Sequence, residues 1–312
     1  MPFFAGLVAL VFAAGVAGAA PAEESQPVAE VSREEPPPSP VAMNHQANLF
    51  LKGRGVKQDF AKALHLFERA ANEGHTASMI SAGYMYENGL GVARDFAAAM
   101  QWYERAAAQG YASAQKAIGD LYRLGRGVKQ DDAAAAQWYQ KAADQGFAQA
   151  QCELGYLMIR GRGVPQDWPK AKLLLEAGAG QGNACAQHYL AFMYMHGLIG
   201  RLPDTERALE LDKMAAGNGN AEAQFNMGRA NEIGWVPHAT EREALNWYAL
   251  AAGGGYPPAM ARLAEVYEKG ELKEKADPEK ARMWRERAQA AWADWPEPRP
   301  DAKEKIRFMP LK

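Results

Sequence analysis

The chain has 312 residues, with 35 Lys and Arg residues against 37 Asp and Glu residues, and a formal net charge of −2. Broad nucleic-acid-binding surfaces carry a clear basic excess, so this balance argues against nucleic acid as a partner. Alanine dominates the apolar residues and β-branched residues are scarce, which favours helices over sheets. The composition predicts an all-α protein, and its 30 glycines need a separate explanation.

The first segment of the chain is typical of an export signal. Residues 2–22 carry no charged side chain, and their apolar run is followed by small residues at positions 17–19, which signal peptidases accept. We predict cleavage before Ala20, which makes residues 1–19 a signal peptide; cleavage before Glu23 is the alternative. The run is also just long enough to stay as a membrane anchor. Cleavage predicts a periplasmic or secreted protein with no integral membrane span after processing.

The next segment, residues 20–41, is rich in proline and glutamate and poor in apolar residues. Such a segment cannot recover its ordering entropy by burying apolar surface. We therefore expect a disordered linker there.

An internal repeat of about 36 residues is the strongest signal in the sequence. Each copy has an Asp or Thr that can cap a helix, and an alanine four residues later. We count seven copies between residues 42 and 291, of which the first lacks part of its opening helix. The capping residues are Asp59, Asp95, Asp131, Asp167, Asp204, Thr240 and Asp277.

Each copy predicts two helices. Helix A, for example about residues 78–88, carries a central glycine such as Gly83 or Gly119, which costs about 1 kcal/mol relative to alanine. We expect that a neighbouring helix backbone passes close to this glycine. A Gly-x-Gly-Val loop, as at residues 125–128, then turns the chain, because glycine accepts positive φ. The Asp or Thr that follows caps helix B.

The resulting pattern is Ala-x-x-x-Leu-Gly-x-x-Tyr-x-x-Gly-x-Gly-Val-x-x-Asp-x-x-x-Ala-x-x-Trp-Tyr-x-x-Ala-Ala-x-x-Gly. It resembles the Sel1-like repeat, a relative of the tetratricopeptide repeat, and residues 114–146 match it almost position by position. The resemblance implies a right-handed α-solenoid of about seven helix-turn-helix repeats, with helix A on the concave side. It also implies a binding scaffold without cofactor or catalysis, often of the bacterial envelope. The fifth copy departs most, since Asp212 stands where others have Tyr or Phe.

Variation between copies points to the face of helix A that would bind a partner. Three positions at i, i+4 and i+7 vary most, and by resemblance to tetratricopeptide geometry they face the groove. The middle copies place apolar and aromatic residues there and the flanking copies place charges, as in a protein-binding patch. The alternative is that curvature buries these side chains. The predicted contact residues are Tyr84, Lys116, Asp120, Arg123, Tyr156, Ile159, His188, Phe192, Met195, Arg229 and Glu232.

The two cysteines, Cys152 and Cys185, allow one disulfide in an oxidising compartment. The bond needs Cα atoms within about 7 Å, closer than most packed helices provide. Two small buried thiols are therefore the favoured interpretation. A metal site formed with His188 would lack a paired-ligand motif, so we predict no metal.

One weak catalytic signal is present. Ser113-x-x-Lys116 matches part of the motif set of penicillin-recognising enzymes, but the Ser-Asp-Asn and Lys-Thr-Gly companions are missing. Ser113 lies at a predicted helix start, where serine is expected as a cap. We therefore predict a non-enzymatic, monomeric envelope scaffold that binds a partner protein and regulates or assembles an envelope process. The alternatives are a secreted effector that binds a host protein and, more weakly, a cell-wall enzyme.

The last segment, residues 292–312, combines tryptophan, proline and basic residues. An open solenoid must cover its last apolar face, so we expect these tryptophans to form a cap. A tail that docks elsewhere is the alternative.

Overall fold

The computed structural model describes residues 38–293 except Arg201. Over this range the chain forms fourteen α-helices and no β-strand. Each helix packs against the next along the chain, so that successive pairs make seven repeats. The predicted signal peptide, the linker up to residue 37 and the tail after residue 293 lie outside the described residues.

Helix A of each repeat is an odd-numbered helix: α1 (Pro40–Lys52), α3 (Thr76–Asn88), α5 (Ala112–Leu124), α7 (Ala148–Arg160), α9 (Ala184–Met195), α11 (Ala221–Glu232) and α13 (Pro257–Lys269). Helix B is an even-numbered helix: α2 (Phe60–Asn72), α4 (Phe96–Ala108), α6 (Asp132–Ala143), α8 (Trp168–Gly180), α10 (Thr205–Gly217), α12 (Glu241–Gly253) and α14 (Pro278–Ala293). The predicted all-α solenoid of seven helix-turn-helix repeats is confirmed. The first copy, however, was wrongly expected to be short, because α1 has 13 residues and Ser39 caps it.

The predicted caps and turns are present. The side chain of Asp95 accepts hydrogen bonds from the backbone N–H groups of Ala97 and Ala98 at 2.9 and 3.0 Å, which contributes about 1 kcal/mol to a helix start. Gly125 ends α5 with φ +64°. Gly127 has a second role, because a Cβ atom there would lie 2.6 Å from the Cβ of Phe96 in the preceding repeat. The loop therefore turns the chain and also packs one repeat on another.

The central glycine of helix A makes space for an aromatic ring of helix B. A Cβ atom on Gly119 would lie 2.5 Å from Cε1 of Tyr139, which is fully buried. The expected close neighbour was a helix backbone, and that expectation was wrong, since the tyrosine ring occupies the space. The hydroxyl of Tyr139 donates to Asp120 at 2.7 Å. The same packing recurs at Gly83–Tyr103 and Gly228–Tyr248.

Cys152 of α7 and Cys185 of α9 form a disulfide, so the interpretation as two thiols was wrong. Helices α7 and α9, which belong to adjacent repeats, contact each other directly. The two Cα atoms lie 6.0 Å apart, within the range that a disulfide spans. The bond joins residues 33 apart in sequence and links the fourth repeat to the fifth.

Gly119→Ala tests the packing of glycine on tyrosine. The new methyl group would overlap the ring of Tyr139, so we expect the free energy of unfolding to fall by about 1–3 kcal/mol. Gly180→Ala is the matched control, because this helical glycine has no atom within 4 Å of a built Cβ. The control should be neutral or slightly stabilising. Thermal melting of both variants decides, and equal melting temperatures would contradict the packing argument.

Reduction of the Cys152–Cys185 bond should lower the stability of the chain by about 2–4 kcal/mol, because the unfolded state gains conformational freedom. The measurement is thermal melting with and without reductant, with non-reducing peptide mapping to identify the bond. Cys152→Ser/Cys185→Ser is the control and should not respond to reductant. Two reactive thiols in the denatured, unreduced wild type would rule the bond out.

Candidate functional site

The predicted contact residues lie on the odd-numbered helices. We call the solvent-facing side of these helices the A surface. The structure divides the predicted residues into buried, ion-paired and exposed groups, and only the last group is open to a partner in this conformation.

The centre of the predicted patch is buried. Tyr156, Ile159 and Met195 expose only 5%, 4% and 6% of their surface, and His188 exposes 2%. The three apolar side chains belong to the cluster that also contains the packed faces of α7 and α9. Direct contact between these helices presses the facing side chains together. These four side chains are therefore buried, as the alternative interpretation expected. Binding of a partner by the A surface as a whole stays a prediction.

Most of the predicted charged residues are held by internal partners. Nζ of Lys116 lies 2.6 Å from Oδ2 of Asp120, and Nε of Arg123 lies 3.6 Å from Oε2 of Glu153. The carboxylate of Asp120 also accepts a hydrogen bond from the buried hydroxyl of Tyr139, so it stabilises the core. Burial, together with the charges of Asp120 and Glu153, raises the pKa of Tyr139, so its hydroxyl stays a proton donor.

Glu232 repeats this role at the other end of the chain. It accepts from the hydroxyl of Tyr248 at 2.5 Å and forms an ion pair with Arg262. Burial raises the pKa of the Glu232 carboxyl, but hydrogen bonds from Arg262 and Tyr248 outweigh it and lower the pKa overall. The carboxylate therefore stays charged and fastens helix B to helix A.

The Ser113 motif gains no support as a catalytic site. Ser113 is the second residue of α5, and Tyr111 is the N-cap, so the expected capping role was wrong. Lys116 is held by Asp120 one turn further along the same helix.

The exposed part of the A surface has three predicted residues. Tyr84 is 51% exposed on α3, whereas Phe192 of α9 and Arg229 of α11 are partly exposed. Tyrosine and arginine are the residues that contribute most often to binding energy at protein interfaces. These side chains are therefore suited to contact a partner directly.

Arg160, at the end of α7, was missed by the sequence analysis. Its side chain is exposed, and its guanidinium carbon lies 5.8 Å from the ring centre of Tyr156 and 5.7 Å from that of Phe192. These distances fit cation–π contacts. The spacing of Arg160 from Tyr156, four residues along one helix, is the signal that could have identified it. His196 extends the group, with its ring centre 4.4 Å from that of Phe192.

A buried charged group lies beside this cluster. Asp212 stands on α10 where α6 has Tyr139, and its Oδ1 lies 2.8 Å from Nδ1 of His188. Asn226 donates to the other carboxylate oxygen of Asp212 at 3.1 Å. On the far side of the imidazole, Oε2 of Glu222 lies 3.4 Å from Nε2 of His188. The imidazole thus connects α9, α10 and α11.

The two carboxylates decide the charge of His188. Burial opposes the charged imidazolium, but the negative charges of Asp212 and Glu222 outweigh burial and raise the pKa of His188 to about 10. Burial also raises the pKa of Glu222, yet the charge of His188 lowers it overall. His188 is therefore protonated at neutral pH, and the three side chains form an ion-paired group.

The exchange of tyrosine for aspartate leaves a small cleft between α9, α10 and α11. Its lining residues are Ala191, Phe192, Met195, His196, Leu209, Asp212 and Asn226. Among the described residues, no group of histidine, cysteine and acidic side chains is arranged to hold a metal ion. None of the helices in this part of the chain is long and apolar enough to cross a membrane.

The fold and the A surface define an α-solenoid repeat protein. The family model for the Sel1 repeat matches seven segments of the chain, which are residues 40–75, 76–111, 112–147, 148–183, 186–220, 221–256 and 257–288. The chain belongs to the Sel1 repeat family. Proteins of this family generally mediate protein–protein interaction, and the family is typically non-enzymatic.

Three solved structures show the likeness. A Sel1 repeat protein from Oxalobacter formigenes is 32% identical with a TM-score of 0.67, and the match covers 79% of this chain and 99% of that chain. The protein c5321, a protective antigen present in uropathogenic Escherichia coli strains, is 28% identical with a TM-score of 0.56 and coverages of 82% and 63%. The immunity protein PA5088 from Pseudomonas aeruginosa is 21% identical with a TM-score of 0.52 and coverages of 75% and 88%, and shows the fold alone. A comparison with curated proteins finds no match.

His188→Gln tests the buried charged group. The raised pKa of His188 means that its stabilising contribution is complete below pH 6.5 and is lost as the pH rises towards about 10. We expect the variant to be about 3–5 kcal/mol less stable than the wild type at neutral pH, because the buried carboxylate of Asp212 and the partly exposed carboxylate of Glu222 lose their partner. The difference should shrink as the pH approaches 10. Melting temperatures measured across this range check the prediction.

The same melting experiment includes a control variant and a measurement at acidic pH. His65→Gln, at an exposed histidine, should follow the wild type at every pH. Because the pKa of Glu222 is lowered, its contribution is present above pH 4.5 and is lost as the pH falls below that value. A difference between His188→Gln and the wild type that is independent of pH would contradict the assignment.

Proposed function

We propose that the chain is an exported scaffold that binds a partner protein on its A surface and thereby regulates or assembles a process of the bacterial envelope. One observation carries the proposal. In a chain of Sel1 repeats, whose family generally mediates protein–protein interaction, the A surface exposes Tyr84 and Arg160 while most of its other charges are held internally. A few residues account for most of the binding energy of a protein interface, and tyrosine and arginine are common among them.

Export is supported by two independent features. The disulfide between Cys152 and Cys185 is of a kind that persists in the periplasm or outside the cell and is rare in the cytosol. The segment 1–19 has the apolar run and the small residues that a signal peptidase accepts. A periplasmic location fits both.

A second candidate is a secreted effector that binds a host protein. It is favoured by the likeness to c5321, which is described as a protective antigen of uropathogenic strains. Both candidates place the partner on the A surface, and they differ in the compartment where the partner is found.

The test is affinity capture from an envelope extract of the source bacterium, with the mature chain as bait. Tyr84→Ala/Arg229→Gln should retain at least about tenfold less partner than the wild type, because it removes one exposed and one partly exposed contact group. Tyr111→Ala is the matched control, since Tyr111 is 47% exposed but lies before α5 as its N-cap. Capture from host-cell extract in parallel separates the two candidates.

Two results would count against the proposal. One is equal capture by the wild type and the double variant at equal melting temperatures. The other is a mass spectrum of the protein recovered from cells that begins at Met1, because export with cleavage predicts a mature chain that begins at Ala20.

A further inference from the structure

We propose that Arg160 binds an acidic side chain within the partner segment, and that the rings of Tyr156 and Phe192 hold the guanidinium in position for it. The inference rests on the proposed function, because it names the chemistry of the partner that the same surface accepts.

The position of Arg160 is fixed by its neighbours. It is the last residue of α7, and its guanidinium carbon lies 5.8 Å from the ring centre of Tyr156 on its own helix and 5.7 Å from that of Phe192 on α9. The disulfide between Cys152 and Cys185 ties these two helices together. The long side chain is thus held at the junction of two repeats, which lowers the entropy that it loses when it binds.

Within the described part of the chain, Arg160 lacks the carboxylate partner that several other cations of the A surface have. Lys116, Arg123 and Arg262 each have a carboxylate oxygen within 4 Å. Among the described residues, Arg160 has none. The charge of Arg160 contributes to lowering the pKa of Glu222, but the Glu222 carboxylate lies against His188. An exposed guanidinium held on aromatic rings keeps its N–H groups available for a carboxylate from outside.

The surroundings select an acidic side chain over other anions. The end of α7 presents backbone carbonyl groups, whereas the capture of a chain's terminal carboxylate uses clusters of backbone N–H groups. The nearby carboxylate of Glu222 would repel a polyanion such as nucleic acid more strongly than it repels a single carboxylate. Beside Arg160, the partly exposed ring of Phe192 offers an apolar surface. The expected partner segment therefore carries Asp or Glu next to an apolar residue.

The experiment uses the full mature chain and random twelve-residue peptides displayed on phage. Peptides selected on the wild type should be enriched in Asp or Glu beside an apolar residue. Arg160→Gln should bind the selected peptides about tenfold more weakly in fluorescence polarisation, and Arg160→Lys should fall between the two, because lysine keeps the charge without the planar fork. Arg242→Gln, at an exposed arginine of α12, should bind like the wild type.

A peptide change makes the test independent of the stability of the variants. Replacing the acidic residue of a selected peptide by its amide should weaken binding to the wild type about tenfold and have little effect on Arg160→Gln. Equal loss on both proteins would overturn the assignment of Arg160, as would selected peptides without acidic residues. Either result leaves the Tyr84/Arg229 capture test standing, so the two proposals can fail separately. If no peptide is enriched on the wild type, the assignment of Arg160 is overturned, whereas the capture experiment still decides the proposed function.

Discussion

Three of the seven repeats in the described part of the chain depend on one packing contact, in which a buried tyrosine of helix B fills the space left by a glycine of helix A. Tyr139 against Gly119 shows what this requires. The ring fits only because no Cβ is present, and its buried hydroxyl needs an acceptor, since an unpaired buried polar group costs about 1–3 kcal/mol. Asp120 supplies that acceptor. The contact thus requires the glycine on helix A, the tyrosine on helix B and a carboxylate on the A surface. The first role of that carboxylate is structural.

The two middle repeats lack this tyrosine, and their differences follow from its absence. Leu175 and Asp212 stand in its place, and no hydroxyl needs a carboxylate on helix A. The positions that hold acidic residues in the second and sixth repeats become Ile159 and Met195, which pack in the core. Helices α7 and α9 then meet directly and carry the disulfide. The buried part of the apolar centre, with Tyr156, Ile159 and Met195, therefore packs in the core of the repeats where this tyrosine is missing.

Features that depend on a single copy could be predicted from the sequence. The cap at Asp95 and the left-handed turn at Gly125 need only local geometry, and the period of the repeat then determines the order of the helices. Features that depend on the distance between copies could not be predicted. Residue spacing does not reveal that Cys152 and Cys185 approach to 6.0 Å, or that Tyr156 is buried, because both follow from the contact of α7 with α9.

The same reasoning indicates which charges of the A surface are available to a partner. A charge that already serves the core contributes little new attraction, because binding would have to break an internal hydrogen bond or ion pair. Asp120 and Glu232 are of this kind, since each accepts from a buried tyrosine. Arg160 is not, because its contacts are aromatic rings, which orient the guanidinium without neutralising it. In a chain of near-neutral net charge, specificity then comes from the few charges that the fold does not use.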